Sequence, residues 1–174
     1  MKAYLGIGTN LGEREKNIDE ALRLIKDYIG PVTKVSSLYE TEPWGFKSEN
    51  DFLNIALEVE TRLKPSGLLG RMLMIEAQMG RLREGREYIS RVIDIDILLY
   101  GDKVLEEKTL VIPHPKLHER KFALIPLDEI AGSLVHPKLR KTIKVLLMEC
   151  KDKSKVRKYN SPTARPHDRK TARH

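Results

Sequence analysis

The chain has 174 residues, 40% of them apolar and 33% charged, the make-up of one soluble domain with a proper core. Its formal charge of +7 is local: nine of the 32 Lys and Arg follow Cys150, against only Asp152 and Asp168, so the body is neutral and lacks the charge of a general polyanion binder. No apolar run nears the ~20 residues that span a bilayer, no secretory leader is expected, and the lone Cys150 excludes an intramolecular disulfide framework, so a reducing cytoplasm is the expected compartment.

In chain order, residues 2–9 read as a strand, and Asn10 and Gly12 as a turn. Residues 13–29 form an amphipathic helix with Ile18, Ala21, Leu22, Ile25 and Ile29 on one face, stopped by Gly30-Pro31. Residues 32–41 and 52–61 alternate as strands around a ten-residue connection, Glu42–Asp51, that carries the only tryptophan, Trp44. Pro65 opens a second helix through Leu68, Met72, Ile75 and Met79 to Gly80. An arginine-rich loop then leads into a strand ending at Tyr100. The order strand–helix–strand–strand–helix–strand is the α+β, ferredoxin-like βαββαβ arrangement. Beyond it, residues 103–112 suggest one or two short strands, and 120–130 and 141–150 suggest helices packed on the outside. The expected domain is 1–150, followed by a basic tail, 151–174, with little apolar content and no expected structure.

Residues 91–100, Arg-Val-Ile-Asp-Ile-Asp-Ile-Leu-Leu-Tyr, carry the sharpest chemical signal. Asp94 and Asp96 are two apart, so on a strand both carboxylates point to one face. Such a pair either alternates toward water on an edge strand or holds a hard cation such as Mg²⁺, which takes one or two carboxylates with waters and phosphates. Arg81, Arg83, Arg86 and Arg91 precede and enter that strand. Arginine grips phosphate through a rigid, permanently charged fork, and arginines beside a metal-competent carboxylate pair suit phosphoryl transfer. His114 lies between Pro113 and Pro115 in extended backbone, where it could serve a phosphate or simply face solvent. Gly6-Ile7-Gly8-Thr9-Asn10-Leu11-Gly12 misses the dinucleotide fingerprint by one residue, and no phosphate-binding loop of the Gly-x-x-x-x-Gly-Lys-Ser/Thr type occurs. Those glycines are expected to serve the turn and close backbone packing.

Taken together, Gly8-Thr9-Asn10-Leu11, Ser36 to Pro43, Asp51-Phe52-Leu53-Asn54, Gly80-Arg81, Arg91 to Ile97, Val111-Ile112-Pro113-His114 and Arg120-Lys121-Phe122 resemble the hydroxymethyl-dihydropterin pyrophosphokinases of folate biosynthesis. The resemblance covers about residues 2–150 and implies a ferredoxin-like sandwich. It also implies Mg-dependent transfer of pyrophosphate from ATP to the pterin hydroxymethyl group, with release of AMP. On that resemblance Asp94 and Asp96 hold two Mg²⁺, and Arg81 and Arg91 act on the phosphates. Glu76, Arg83, His114 and Arg120 join Arg81 and Arg91 at ATP. Phe52 and Phe122 stack on the pterin, with Asn54, Thr41, Pro43, Trp44 and Gly45 around its edge. Asp96 is a candidate acceptor for the hydroxyl proton. A monomer with a small-molecule substrate, no specific nucleic acid and no membrane is expected. The chain departs from the family pattern at Phe52, often a tyrosine, and at Leu73, Glu84, Tyr88 and Thr109 on the ATP side. The competing reading, a small RNA-binding module, is opposed by a neutral body and by 6% aromatic content.

Overall fold

The computed structural model describes residues 1–43, 50–80 and 92–162. In chain order these form β1 (Lys2–Thr9), α1 (Arg14–Tyr28), β2 (Val32–Val35), β3 (Tyr39–Thr41), β4 (Phe52–Glu60), α2 (Pro65–Gln78) and β5 (Asp94–Tyr100). They continue through β6 (Leu105–Glu106), β7 (Val111–Ile112), a single 3₁₀ turn at Leu117–Glu119, α3 (Lys121–Ala131), α4 (Ile143–Glu149) and β8 (Val156–Lys158). The main sheet runs β5-β1-β4-β3-β8, with β2 beside β3 along the same edge of β4 and every pairing antiparallel. It is therefore a mixed α/β protein with an antiparallel sheet and four helices among the described residues.

β1 lies between β5 and β4 and buries both faces. Ala3, Leu5 and Ile7 point toward α1 and α2, where Ile18, Leu24, Ile25, Leu68, Met72 and Ile75 meet them in the larger core. Tyr4 points the other way, with Ala56 and Leu98, into a second core closed by Leu124 and Leu127 of α3 and Ile143 and Leu146 of α4. The last two helices thus form a third layer rather than an outer coat. On α1 the buried stripe includes Leu24, while Leu22 is only half-buried.

Two expectations change. Residues 32–41 do not run as one strand. Val35 pairs with Leu57 and Tyr39 with Asn54, so four steps on one side match three on the other, a bulge at 36–38. Ser36 fills that break, its N–H donating to Ala56 O and its Oγ accepting from Ala56 N, each at 2.9 Å. The second change concerns the tail. Residues 156–158 form β8 on the free edge of β3, in place of unstructured chain from residue 151. Its sequence is polar, so the strand is held by pairing with β3 rather than by an apolar face of its own. Residues 163–174 lie outside the described residues.

At one end of the sheet the register matters for function. Across three adjacent strands Asp94 pairs with Gly8 and Gly8 with Asn54, while Asp96 pairs with Gly6 and Gly6 with Ala56. Paired residues share a face, here the face that α3 covers at its other end. Two carboxylates and a carboxamide therefore flank a strip with no side chains. Gly12, at φ +66, is the glycine that serves the turn into α1.

Candidate active site

The glycine strip is the floor of a cleft of about 750 Å³, counting the space open to solvent. Asp94, Asp96, His114 and Arg120 line it together with Thr41, Glu42, Phe52, Asn54 and Phe122, with Leu98, Leu117 and Ala123 as apolar backing. Each group arrives from a separate element: β5, the β7–α3 connection, the start of α3, and the adjoining ends of β3 and β4.

Asp94 and Asp96 face the cleft because β5 buries Ile95 and Ile97 on its other side. Asp96 is partly exposed, and its Oδ2 lies 4.0 Å from His114 Nε2 and 3.9 Å from Arg120 Nη1. His114 Nδ1 accepts the Lys116 N–H at 3.1 Å, which leaves Nε2 as the protonated nitrogen directed toward the cleft. Burial, helped by the Arg120 guanidinium and Lys116 and opposed by Asp94, holds the imidazole down at about 4. It is therefore neutral at pH 7, a hydrogen-bond donor rather than a cation. Arg120 is 8% exposed, and its guanidinium carbon lies 5.6 Å from the centre of the Phe122 ring.

On the other side Asn54, 5% exposed, donates through Nδ2 to Thr41 Oγ1 at 2.9 Å, and its Oδ1 lies over Gly8. A methyl group on Gly8 would stand 2.9 Å from that oxygen and 3.6 Å from Phe52 Cδ1. Glycine here is thus set by close approach of neighbours in a strand, not by an unusual dihedral angle. The turn after β1 is also tied down. Asn17 Nδ2 donates to Thr9 Oγ1 at 3.1 Å, Leu11 O at 2.8 Å and Val92 O at 3.3 Å, and Thr9 Oγ1 bonds Val92 O.

These features occur in a chain whose residues 4–132 match the family model of 7,8-dihydro-6-hydroxymethylpterin-pyrophosphokinase. The chain belongs to this pyrophosphokinase family. It is 40% identical over 141 residues to the 2-amino-4-hydroxy-6-hydroxymethyldihydropteridine pyrophosphokinase of Aquifex aeolicus, covering 81% of this chain and 87% of that one. To the Bacillus subtilis protein of the same name it is 43% identical over 129 residues, covering 74% and 77%. Among solved structures, the wild-type Plasmodium falciparum HPPK-DHPS with pteroate superposes with a TM-score of 0.70 at 19% identity. That match covers 85% of this chain but only 44% of the solved one, and it speaks for the fold alone.

The structure brings Asp94, Asp96, His114, Arg120, Thr41, Phe52, Asn54 and Phe122, singled out from the sequence, to one cleft. Pro43 is not among the residues lining it, and Glu42 beside it is. Glu76, expected at ATP, does not line this cleft. It is 2% exposed and its Oε1 accepts the Ile95 N–H at 2.8 Å, so it sits behind the aspartate strand and braces its outer edge. Trp44, Gly45, Arg81, Arg83 and Arg91 lie outside the described residues. Sequence reasoning also passed over Gly6 and Gly8 as the floor of the cleft; the signal was their two-residue spacing, matching that of the aspartates.

Proposed function

We propose that this pyrophosphokinase-family chain transfers pyrophosphate from ATP to the hydroxymethyl group of 6-hydroxymethyl-7,8-dihydropterin, releasing AMP, as a step in folate biosynthesis. The observation that carries the reading is the mixed lining of one cleft. Paired carboxylates, a neutral imidazole N–H and an arginine line it together with two phenylalanines and a hydrogen-bonded Asn–Thr pair. A flat heterocycle needs aromatic faces and a few fixed polar groups. A triphosphate needs cations and donors. The antiparallel strand order with both crossover helices on one face also supports the ferredoxin-like description of the core.

Asp94 and Asp96 fit a magnesium site. Among the described residues no cluster of three or more His, Cys, Asp or Glu could enclose a metal. A carboxylate pair beside open cleft volume instead suits an ion that keeps waters and substrate phosphates as ligands. We assign two Mg²⁺ to this pair, which would neutralise phosphate charge and orient the reacting oxygens. Every other contribution comes from the chain. His114 Nε2–H and Arg120 hold phosphate oxygens, with Arg81, Arg83 and Arg91 as further phosphate groups. Phe52 and Phe122 stack on the pterin while Asn54 Oδ1 accepts from its N–H edge, and the side chain of Thr41 keeps the carboxamide in that orientation. The buried walls exclude water, which would otherwise compete with the pterin hydroxyl.

The test is AMP release from ATP and 6-hydroxymethyl-7,8-dihydropterin. The wild-type chain should catalyse it, and Asp94→Ala or Asp96→Ala should each lower kcat at least about a hundredfold, the loss of several kcal/mol at the transition state. Near wild-type turnover in both variants would remove the metal assignment. No AMP release by the wild-type chain would remove the functional reading.

A further inference from the structure

We infer that residues 152–161, which lie beyond the family match, form a clasp that sets the geometry of the pterin-side wall; this rests on the reading of the cleft given above. The segment is bonded to the elements that carry Thr41 and Phe122, β3 and α3, and to Asp51, the residue before Phe52. At its start, Asp152 Oδ2 accepts the Lys121 N–H at 3.0 Å and so caps the first turn of α3, between Arg120 and Phe122. The residue at the head of that helix, Arg120, supplies no side-chain cap, so the distant carboxylate takes its place. In its middle, β8 pairs Val156 with Thr41 and closes the outer edge of β3.

Arg157 then joins the two sides of the 42–50 connection. Its Nη2 is 2.9 Å from Glu40 Oε1 and 3.4 Å from Asp51 Oδ2. Arg14 repeats the arrangement from α1, with Nη2 2.9 Å from Glu40 Oε2 and Nη1 donating to Asp51 O at 2.8 Å. At its end, Tyr159 N–H donates to Leu38 O at 2.8 Å, its ring lies 5.6 Å from the Arg14 guanidinium, and its hydroxyl donates to Glu15 at 3.0 Å. Ser161 Oγ adds a second bond to Glu15 at 2.6 Å. Thr41 and Phe52 are partners across β3 and β4, and Glu40 and Asp51 precede them, so the Arg157 bridge braces that pair beside the Thr41–Asn54 bond and the stacking ring.

Arg157 is not part of the cleft lining; it is a positioning residue that acts through Glu40 and Asp51. Its side chain is 63% exposed, so replacing it leaves the core intact and makes it the residue to test. In the full-length protein, Arg157→Ala should raise KM for the pterin two- to fivefold, the range of exposed ion pairs, with KM for ATP and kcat held. Arg157→Lys should restore most of the loss, and Arg157→Glu, facing two carboxylates, should exceed the alanine effect. Trp44, the only tryptophan, lies between the two anchors in the sequence and gives a readout independent of activity. Its acrylamide quenching should rise in Arg157→Ala and return in Arg157→Lys. Unchanged Trp44 quenching overturns the clasp. So does an unchanged pterin KM, or a KM for ATP that rises in step with it, in an active enzyme. A wild-type chain that released no AMP would instead end the functional reading, and the Trp44 comparison would still decide the clasp.

Discussion

Gly8→Ala tests most directly how the cleft is built. The added methyl would meet Asn54 Oδ1 at 2.9 Å, while the other close neighbour, Phe52 Cδ1, stands at an ordinary 3.6 Å. Carbon and oxygen at rest sit farther apart, so the carboxamide must withdraw by about 0.5 Å. Asn54 is buried and bonded to Thr41 at 2.9 Å, and retreat pulls Nδ2 off that line. Overpacking of this size, with the loosened Asn–Thr bond as part of it, costs about 1–3 kcal/mol. Borne by the pterin subsite, such a loss lowers kcat/KM for the pterin about ten- to a hundredfold, at one decade per 1.4 kcal/mol. Steady-state AMP release with each substrate varied in turn measures it, and KM for ATP should stay within about twofold. A second change, Asn54→Ala in the Gly8→Ala background, removes the clash, so the pair should be less than additive. Wild-type pterin kinetics in Gly8→Ala, or equal losses toward both substrates, would refute the assignment of this wall.

Two further predictions concern stability. Asp152→Ala removes the cap of α3 at a cost of about 0.5–2 kcal/mol, lowering Tm by about 2–4 °C per kcal/mol for a chain of this size; Asp152→Asn, which still accepts a hydrogen bond, should melt close to wild type, and a wild-type Tm in the alanine variant would end the capping role. Glu58 is 1% exposed in the second core. Burial opposes its charge, but hydrogen bonds from Tyr4, Thr33 and Lys2, with Lys34 nearby, outweigh it and hold the carboxyl below its ordinary range. A carboxyl depressed in the folded state stabilises above the ordinary carboxylate range and loses that contribution as pH falls through its folded value. Glu58→Gln should therefore be less stable than wild type at neutral pH in urea denaturation, with the gap closing in acid; a gap independent of pH would mean that the carboxylate charge is not what matters.

The elements that the sequence made legible are those with an apolar period. The stripe of α1, the run of Asp94–Tyr100 and the start of α2 at Pro65 follow from spacing and stop signals alone. Asp94 and Asp96 were legible as a pair because a two-residue spacing is a statement about strand faces. What the aspartates look across at was not, since the register against Gly6 and Gly8 depends on partners far away in the chain. β8 was invisible for the same reason: Val156-Arg157-Lys158 has no face to bury, and its strand is a consequence of the open edge of β3. Glu76 shows the same dependence: nothing in its position on α2 announces that its carboxylate accepts the Ile95 N–H of β5.

One face of the sheet is shared between a hydrophobic core at the Tyr4 end and the cleft at the Gly8 end, on the same three strands. Occupancy and folding are consequently linked: a molecule that fills the cleft adds contacts to β1, β4, β5 and α3 that the unfolded chain cannot make. A ligand at a hundred times its Kd would deepen the native well by about 2.7 kcal/mol. The melting temperature of this protein thus becomes a titration curve for its substrates, readable without any chemistry taking place.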